Sequence, residues 1–240
     1  MKQFLRWATS RLYFSFLHRL HKPTVPKILM YHSVGDRGSL SISEQEFRTQ
    51  LAFLNERYQF AALSDVVTGN KDETVALTFD DGYQDFYDTA LPILREKDIP
   101  ATVFIVGSTL TKGGVSGFSK PTMTLDQLCV LADDPLISLG NHTQTHQDLT
   151  TLHQIEQREE IIRGKQTIED CVGVQVSKFA YPGGAYDDHS VSVVEDTHDC
   201  AVTVNKPWGT YSKHTLPRIH AHDEELARWE LNTFSHLYHR

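Results

Sequence analysis

Short apolar runs alternate with longer amphipathic stretches along most of this 240-residue chain. Apolar runs bounded by turn-forming residues predict strands, and apolar positions three and four apart predict helices. The order of these elements predicts an α/β fold with a mainly parallel sheet, as one large domain or two small ones. The expected strands cover residues 27–31, 74–79, 101–106, 136–139, 177–180 and 201–204. The expected helices cover residues 43–54, 87–94, 124–131 and 152–171, with a terminal helix from about residue 223.

Four of the expected strands end next to residues that can carry chemistry. His32 follows the first strand, Asp80 and Asp81 follow the second, His142 follows the fourth, and a Tyr-Pro-Gly turn containing Gly183 follows the fifth. In parallel barrels and open sheets the active site lies at the C-terminal ends of the strands. Acids and histidines scattered at random would not all follow the C-terminal ends of strands, so the pattern favours an enzyme active site.

Asp80 and Asp81 form a pair of adjacent carboxylates at the end of an apolar run. Two ionised carboxylates repel each other, so the pair invites a bound cation or a shifted pKa. Successive side chains at the end of a strand point in different directions, which lets one acid bind a metal while the other transfers a proton. The alternative is that Asp-Asp-Gly only begins a turn.

His142 and His146 are four residues apart, and we expect them to share one face of a helical turn and one metal ion. Asp81 can supply a carboxylate, which completes a common ligand set for a catalytic divalent metal. The three cysteines are widely spaced and suggest neither a disulfide framework nor a Cys-x-x-Cys zinc site. With 13 histidines in the chain, a chance spacing of four is the alternative.

Charge is distributed unevenly along the chain. The net charge of −8 argues against nucleic acid as a partner, because phosphate binding depends on concentrated Lys and Arg. Residues 1–22 nevertheless carry five Lys or Arg residues, no acid and several aromatic residues. The first segment therefore differs in composition from the rest.

We interpret residues 1–26 as a basic aromatic helix that precedes a globular domain over residues 27–240. Arg11 and Arg19 interrupt its apolar runs, so the segment fits neither a membrane-spanning helix nor a secretory signal. It either lies at a membrane surface or packs against the domain. We expect a protein that is cytoplasmic or peripheral to the membrane.

Three short motifs occur in order along the chain: Thr-Phe-Asp-Asp-Gly at 78–82, His-Thr-Gln-Thr-His at 142–146 and Tyr-Pro-Gly-Gly at 181–184. They resemble the motifs of the polysaccharide deacetylases with a NodB-homology domain, carbohydrate esterase family 4. The resemblance spans about residues 28–219 and implies a distorted (β/α) barrel of the NodB-homology type. It also implies metal-dependent hydrolysis of an N-acyl group, usually N-acetyl, from an amino sugar. The Phe-Ala-Tyr-Pro sequence at 179–182 is similar to the branch of exopolysaccharide deacetylases that act on poly-N-acetylglucosamine.

The resemblance also implies roles for individual residues. Asp81, His142 and His146 would bind the metal, and Asp80 would be the general base for a metal-bound water that attacks the amide. The backbone N–H of Gly183 matches the oxyanion donor, although a plain turn glycine is the alternative. Zinc is the leading metal, and Co²⁺, Ni²⁺, Mn²⁺ and Fe²⁺ also suit this ligand set. The implied partner is an N-acetylated amino-sugar polymer or a lipid-linked saccharide.

The chain departs from the family pattern at two places. Ala180 stands where the usual third motif has an arginine that orients the base, and Arg218 either replaces that arginine or forms a surface ion pair. The usual late histidine, which is the general acid, is poorly matched. His32 is our first choice for that role and His220 the second, because imidazole can donate a proton near neutral pH. His222 is expected to be a loop residue without a chemical role.

Two other functions stay open at this point. A small-molecule amidohydrolase, such as a deformylase, can use the same fold and metal site. A catalytically weak glycan-binding module is the alternative outside enzymes, and Trp208 can stack on a sugar or simply pack.

Overall fold

The computed structural model describes residues 27–35, 40–68, 74–111, 118, 120–204 and 211–221. The helix expected over residues 1–22, the terminal helix, Trp208 and His222 lie outside this part of the chain. The boundary between residues 26 and 27 therefore stays a prediction.

Ten short strands and six helices occur within the described ranges. The strands are β1 Lys27–Tyr31, β2 Ser33–Gly35, β3 Ser41–Ser43, β4 Gln59–Phe60, β5 Thr74–Phe79, β6 Ala101–Ile105, β7 Ile137–Asn141, β8 Lys178–Ala180, β9 Cys200–Val202 and β10 Ile219–His220. The helices are α1 Glu44–Asn55, α2 Leu63–Val67, α3 Leu91–Glu96, α4 Leu125–Ala132, α5 Gln154–Val172 and α6 Asp188–Thr197. A π-helical turn, Phe86–Ala90, leads into α3. None of the described helices is both long and apolar enough to cross a membrane.

Capping residues set where several helices begin and end. The Ser43 hydroxyl accepts a hydrogen bond from the Glu46 backbone N–H and starts α1. Thr124 and Gln127 form a reciprocal capping box at the start of α4. Gly173, in the left-handed conformation, ends α5. The cap at Ser43 was part of the sequence-based prediction of the first helix, whereas the caps at Thr124 and Gly173 were not used in predicting the other two.

The main sheet is parallel throughout and curls into a nearly closed barrel. Its strand order is β10-β1-β5-β6-β7-β8-β9, and β4 pairs with the start of β5. One late segment joins the two ends of the sheet. Leu216 pairs with Val202 on β9, and three residues further on Ile219 pairs with Leu29 on β1. The predicted α/β class and distorted barrel are confirmed.

Both faces of the strands are buried, and the side chains on the two faces belong to different hydrophobic clusters. Outward-facing residues such as Leu29, Leu77 and Val103 pack beneath the surrounding helices. Inward-facing residues form a separate apolar cluster, to which α2 adds two side chains. This inner cluster comprises Ile28, Leu63, Val66, Ala76, Phe104, Ala180, Cys200, Val202 and Leu216. The barrel interior is therefore a packed core, and polar chemistry is confined to its rim.

The sequence-based assignment of strands and helices was wrong in two ways. The strand expected over residues 136–139 runs over Ile137–Asn141, so it reaches the residue directly before His142. Several elements were also not predicted from the sequence. Those of two to five residues are too short for a periodic pattern of apolar residues to be recognised, and in one polar helix that pattern is weak. The missed elements are β2, β3, β4, β10, α2 and α6.

Candidate active site

Asp80 and Asp81 leave the end of β5 in different directions. The Asp80 backbone N–H donates to the Tyr31 carbonyl at 3.0 Å, which extends the pairing of β5 with β1. Asp81 then takes a left-handed conformation with φ 70°, which is unfavourable for a residue with a Cβ. Asp80 thus continues the inward face of the strand, and Asp81 belongs to the turn that follows.

Asp80 forms a buried, two-point ion pair with Arg218. The two guanidinium nitrogens donate to the two carboxylate oxygens at 2.7 and 2.6 Å. Burial by itself raises the pKa of Asp80, but the charge and hydrogen bonds of Arg218, helped by His142 and His32, hold that pKa below its ordinary value. Asp80 is therefore ionised at any pH near neutral.

Arg218 is oriented by the barrel around it. Its Nε donates to the Thr203 carbonyl at 3.2 Å, and one terminal nitrogen also donates to the Thr78 hydroxyl at 3.0 Å. Its side chain is fully buried, so the alternative of a surface ion pair was wrong. Arg218 lies between Leu216 and Ile219, in the segment that joins the two ends of the sheet.

The pKa of Asp81 is shifted in the opposite direction to that of Asp80. Burial and the negative charge of Asp80 raise the pKa of Asp81 to about 7, and a hydrogen bond with Tyr83 offsets this only in part. Its Oδ1 atom is buried and receives no hydrogen bond within the described residues. A buried carboxylate oxygen without a donor is a position where a cation is favourable.

His142 and His146 lie on an irregular loop, so the predicted helical turn was wrong. Thr143 and His146 both have left-handed backbones, with φ 66° and 61°, which no helix accommodates. The Thr143 hydroxyl accepts from the His146 backbone N–H at 3.0 Å, and the Asn141 side chain accepts from the Thr143 backbone N–H at 3.0 Å. These hydrogen bonds offset the cost of the two left-handed residues.

The loop brings both imidazoles to Asp81. His142 Nδ1 donates to the Ala180 carbonyl at 2.7 Å, which leaves Nε2 to face the carboxylates. His142 Nε2 lies 3.7 Å and His146 Nε2 lies 3.3 Å from Asp81 Oδ1. One ligand atom from each of the three residues lies within 4.8 Å of the others.

These three residues fit a divalent metal ion. Burial lowers the pKa of His142 to about 3 and also lowers the pKa of His146, so both rings are neutral, as metal ligands must be. The Asp81 oxygen that lacks a donor is the same atom that faces both rings. Two imidazole nitrogens and one carboxylate oxygen leave coordination positions for water and substrate.

The other predicted residues lie around this centre. The His32 and His220 rings meet edge to face with centroids 5.3 Å apart, and the charge of His32 acts on Asp80. Gly183 has φ 58° in the turn Pro182–Gly184 after β8, and the space beside its Cα is open. The structure brings His32, His220 and Asp80 together at one end of the barrel, but it assigns none of them a chemical step.

Several residues that support the site were not predicted. Glu160 on α5 accepts from both the backbone N–H and the hydroxyl of Thr145 at 2.7 Å, which ties the His142–His146 loop to the helix layer. The Phe118 ring packs against His146 and Tyr83, with centroid distances of 5.8 Å in each case. Asn141, which accepts from the Thr143 backbone N–H, could have been found from the sequence because it directly precedes His142. Nothing in the sequence marks Glu160 or Phe118 as part of the site.

A parallel barrel whose rim holds a His₂Asp set beside a separate buried carboxylate is the arrangement of a metal-dependent hydrolase. Comparison with protein families gives the class more closely. The polysaccharide deacetylase family model matches residues 68–199, which is more than half of the chain. The chain belongs to the polysaccharide deacetylase family, and the family predicted from the three motifs is confirmed.

Individual relatives agree with this assignment. The YxkH protein of Bacillus subtilis, named as a polysaccharide deacetylase, is 28% identical over 211 residues, covering 82% of this chain and 73% of that protein. The deacetylase PplD of Streptococcus pyogenes, solved in complex with acetate, superposes with a TM-score of 0.75 at 26% identity, covering 88% of this chain and 98% of that one. The poly-β-1,6-N-acetyl-D-glucosamine N-deacetylase of Escherichia coli K12 is 36% identical over 91 residues, covering 33% of this chain and only 14% of that enzyme.

Proposed function

We propose that this chain hydrolyses N-acetyl groups of a poly-N-acetylglucosamine-type polymer with the help of a divalent metal ion. The observation that carries the proposal is the cluster of Asp81, His142 and His146 beside an independently paired Asp80. The family supplies the reaction class, since its members are carbohydrate deacetylases. The polymer is proposed from the activity for which the E. coli relative is named and from the Phe-Ala-Tyr-Pro sequence at 179–182.

Zinc is the metal that we propose for the His₂Asp set. Neutral imidazoles and a single carboxylate are common zinc ligands, and Co²⁺, Ni²⁺, Mn²⁺ and Fe²⁺ accept the same atoms. When bound, such an ion supplies Lewis-acid polarisation of the amide carbonyl and lowers the pKa of water. His142 is already oriented for this task, because the Ala180 carbonyl fixes which ring nitrogen faces the site.

Asp80 is the proposed general base. It is ionised, buried, and 3.9 Å from His142 Nε2, so it lies beside the ligand set without belonging to it. Arg218 holds both of its oxygens and thereby fixes the orientation of the carboxylate. We propose that Arg218 takes the role of the arginine that Ala180 replaces, although it lies in a different part of the chain, directly before β10.

Two further roles complete the proposal. His32, or alternatively its neighbour His220, donates a proton to the leaving amine. This role is supported by the effect of His32 on the pKa of Asp80 and by the packing of the His220 ring against His32. The Gly183 backbone N–H donates to the developing oxyanion, a role supported by the open space beside that residue. A lipid-linked saccharide is the second substrate to test, because the basic aromatic segment 1–22 fits contact with a membrane surface.

The test is acetate release from β-1,6-linked and β-1,4-linked N-acetylglucosamine oligomers and from a lipid-linked N-acetylated saccharide. The protein is stripped with a chelator, dialysed, and assayed after addition of Zn²⁺, Co²⁺, Ni²⁺, Mn²⁺ or Fe²⁺, with Mg²⁺ as the control. We expect no release from stripped protein or with Mg²⁺, which prefers oxygen ligands, and restored release with at least one of the other ions. Equal release before and after stripping would contradict the proposed function.

A further inference from the structure

The side chain of Asn141 links the end of β7 to the loop that carries His142 and His146. Asn141 is fully buried, and its Oδ1 accepts from the Thr143 backbone N–H at 3.0 Å. Its Nδ2 donates to the Ile161 carbonyl at 2.8 Å and lies 3.2 Å from His198 Nε2. The two backbone groups have fixed polarity, so they determine which end of the amide is nitrogen. His198 Nε2 must therefore accept a hydrogen bond from Asn141.

The other ring nitrogen of His198 is also determined. The Thr197 hydroxyl donates to the Val193 carbonyl at 2.6 Å, so its oxygen is left to accept from His198 Nδ1 at 2.9 Å. The ring is thus a neutral imidazole with its proton on Nδ1. A second proton on Nε2 would face the Asn141 amide protons, with donors on both sides.

The buried ring is held by its surroundings as well as by these hydrogen bonds. It packs on the Phe179 ring of β8 at a centroid distance of 5.1 Å, and the His198 carbonyl accepts from His214 Nε2 at 3.0 Å. The His198 backbone N–H donates to the Val194 carbonyl at 2.8 Å, at the end of α6. His198 is therefore fixed at the end of α6, with its Nε2 facing Asn141.

The helix α5 closes the opposite side of Asn141. A Cβ placed on Gly164 would lie 2.5 Å from both Asn141 Oδ1 and the Thr143 carbonyl carbon, so the helix backbone approaches the loop as closely as a glycine allows. With α5 on one side and His198 on the other, a change at His198 has to move Asn141 or leave one of its two side-chain N–H groups without an acceptor, while the other still donates to the Ile161 carbonyl.

We propose that His198 is a positioning residue for the metal site. Through Asn141 it holds the left-handed turn at Thr143, whose hydroxyl in turn accepts from the His146 backbone N–H. The inference rests on the proposed function, because it assigns His142 and His146 as ligands. His198 itself contacts neither of them within the described residues. It acts on the geometry of the ligands through two intervening side chains.

Three variants test the proposal. His198→Phe keeps an aromatic ring of similar size but removes the acceptor for Asn141. His198→Gln places a carbonyl oxygen where Nε2 lies and should restore that acceptor. Phe179→Leu is the matched control, because it loosens the packing on the other side of the same ring and keeps every hydrogen bond. Zinc affinity is measured by competition with a chromophoric chelator, and hydrogen exchange at the Thr143 and His146 amides is measured in metal-free protein.

We expect H198F to bind zinc about 10–100-fold more weakly, the range found when a residue that supports the ligands from outside the ligand set is changed. H198F should also lose amide protection at Thr143 and His146, while H198Q recovers both properties. F179L should lower the melting temperature with zinc affinity unchanged. Wild-type affinity and protection in H198F would overturn the proposal, as would an equal loss of affinity in F179L. If the wild-type protein bound no metal, the proposed function would fail, and the exchange data would still decide the role of His198.

Discussion

The two halves of the site are built by different means. The strand half, Asp80 and Arg218, lies on inward-facing positions of the barrel and is joined by a buried ion pair. The turn half, Asp81, His142 and His146, lies on segments that follow the strands, and Asp81 and His146 have left-handed backbones. The strand half is fixed by sheet geometry, and the turn half is fixed by hydrogen bonds from neighbouring side chains.

Because of this difference, substitutions in the two halves should have different effects on folding and on metal binding. A buried carboxylate and guanidinium depend on each other, so removing either one leaves an uncompensated charge inside the barrel. Left-handed residues cost about 1–2 kcal/mol each and persist only where surrounding contacts hold them. The strand half should therefore affect folding when it is altered, whereas the turn half should affect metal binding first.

The largest effect is expected at Arg218. Arg218→Met keeps much of the side-chain volume but leaves Asp80 buried without its partner, which should lower the free energy of unfolding by about 3–5 kcal/mol. Urea denaturation measures this change. Arg218→Lys retains the charge without the two-point geometry and should lose less. An R218M protein as stable as wild type would show that the two halves do not differ in this way.

A pair of neighbouring glycines provides a smaller test on the turn after β8. Gly183 and Gly184 both have left-handed backbones, at φ 58° and 72°, but only Gly184 is crowded. A Cβ on Gly184 would overlap the Val204 side chain and lie 2.6 Å from the Val204 backbone nitrogen. Gly184→Ala should cost about 2–4 kcal/mol, combining backbone strain with overpacking, and Gly183→Ala about 1–2 kcal/mol.

Thermal unfolding of the two glycine variants, followed by circular dichroism, measures the difference. G183A should keep metal binding, because Gly183 lies outside the proposed ligand set of Asp81, His142 and His146. Equal losses of stability at the two positions would mean that the approach of Val204 does not constrain this turn.

The smallest effect concerns pH and the neutral state of His198. Burial, with smaller effects of Lys165 and His214, lowers the pKa of His198 from 6.5 to about 3, while Asp199 opposes the shift. The unfolded chain therefore takes up a proton below pH 6.5 that the folded protein excludes down to about pH 3. The stabilisation is complete above pH 6.5 and is lost as the pH falls through that window.

Between pH 6 and pH 5 this group should lower the stability of metal-free protein by about 1 kcal/mol. His198→Gln does not titrate and should remove that share of the slope. The remaining slope comes from His142 and His146, which also have lowered pKa values, and from Asp81, whose raised pKa acts in the opposite direction. Urea denaturation at the two pH values measures it. An unchanged slope in H198Q would indicate that His198 is not a neutral buried group.

The strand half and the turn half also differed in how well the sequence predicted them. The end of β5 was located to the residue, because six consecutive apolar or β-branched residues precede Asp80. The sequence placed His142 and His146 on a helical turn, because spacing alone does not distinguish four residues of helix from four residues of an irregular loop. The left-handed backbone at Thr143 depends on Asn141, whose effect a pattern of residue types does not show.

Arg218 shows a second limit of sequence reasoning. Ala180 revealed that the usual arginine was missing, but its replacement lies 138 residues from Asp80 along the chain, on the segment that closes the barrel. Only the closure of the sheet brings the two together. The same applies to Asn141 and His198, which are 57 residues apart and meet through the packing of α6.

The most direct test compares Asp80→Asn with Asp81→Asn in zinc-loaded protein, measuring metal content and acetate release together. We expect D80N to retain its zinc and to lose about 10²–10⁴-fold in the rate of acetate release, the usual contribution of a general base. D81N should lose the zinc and, for that reason, the activity. Retained hydrolysis in D80N, or an equal loss of zinc in both variants, would contradict the assignment of the two neighbouring carboxylates to different tasks.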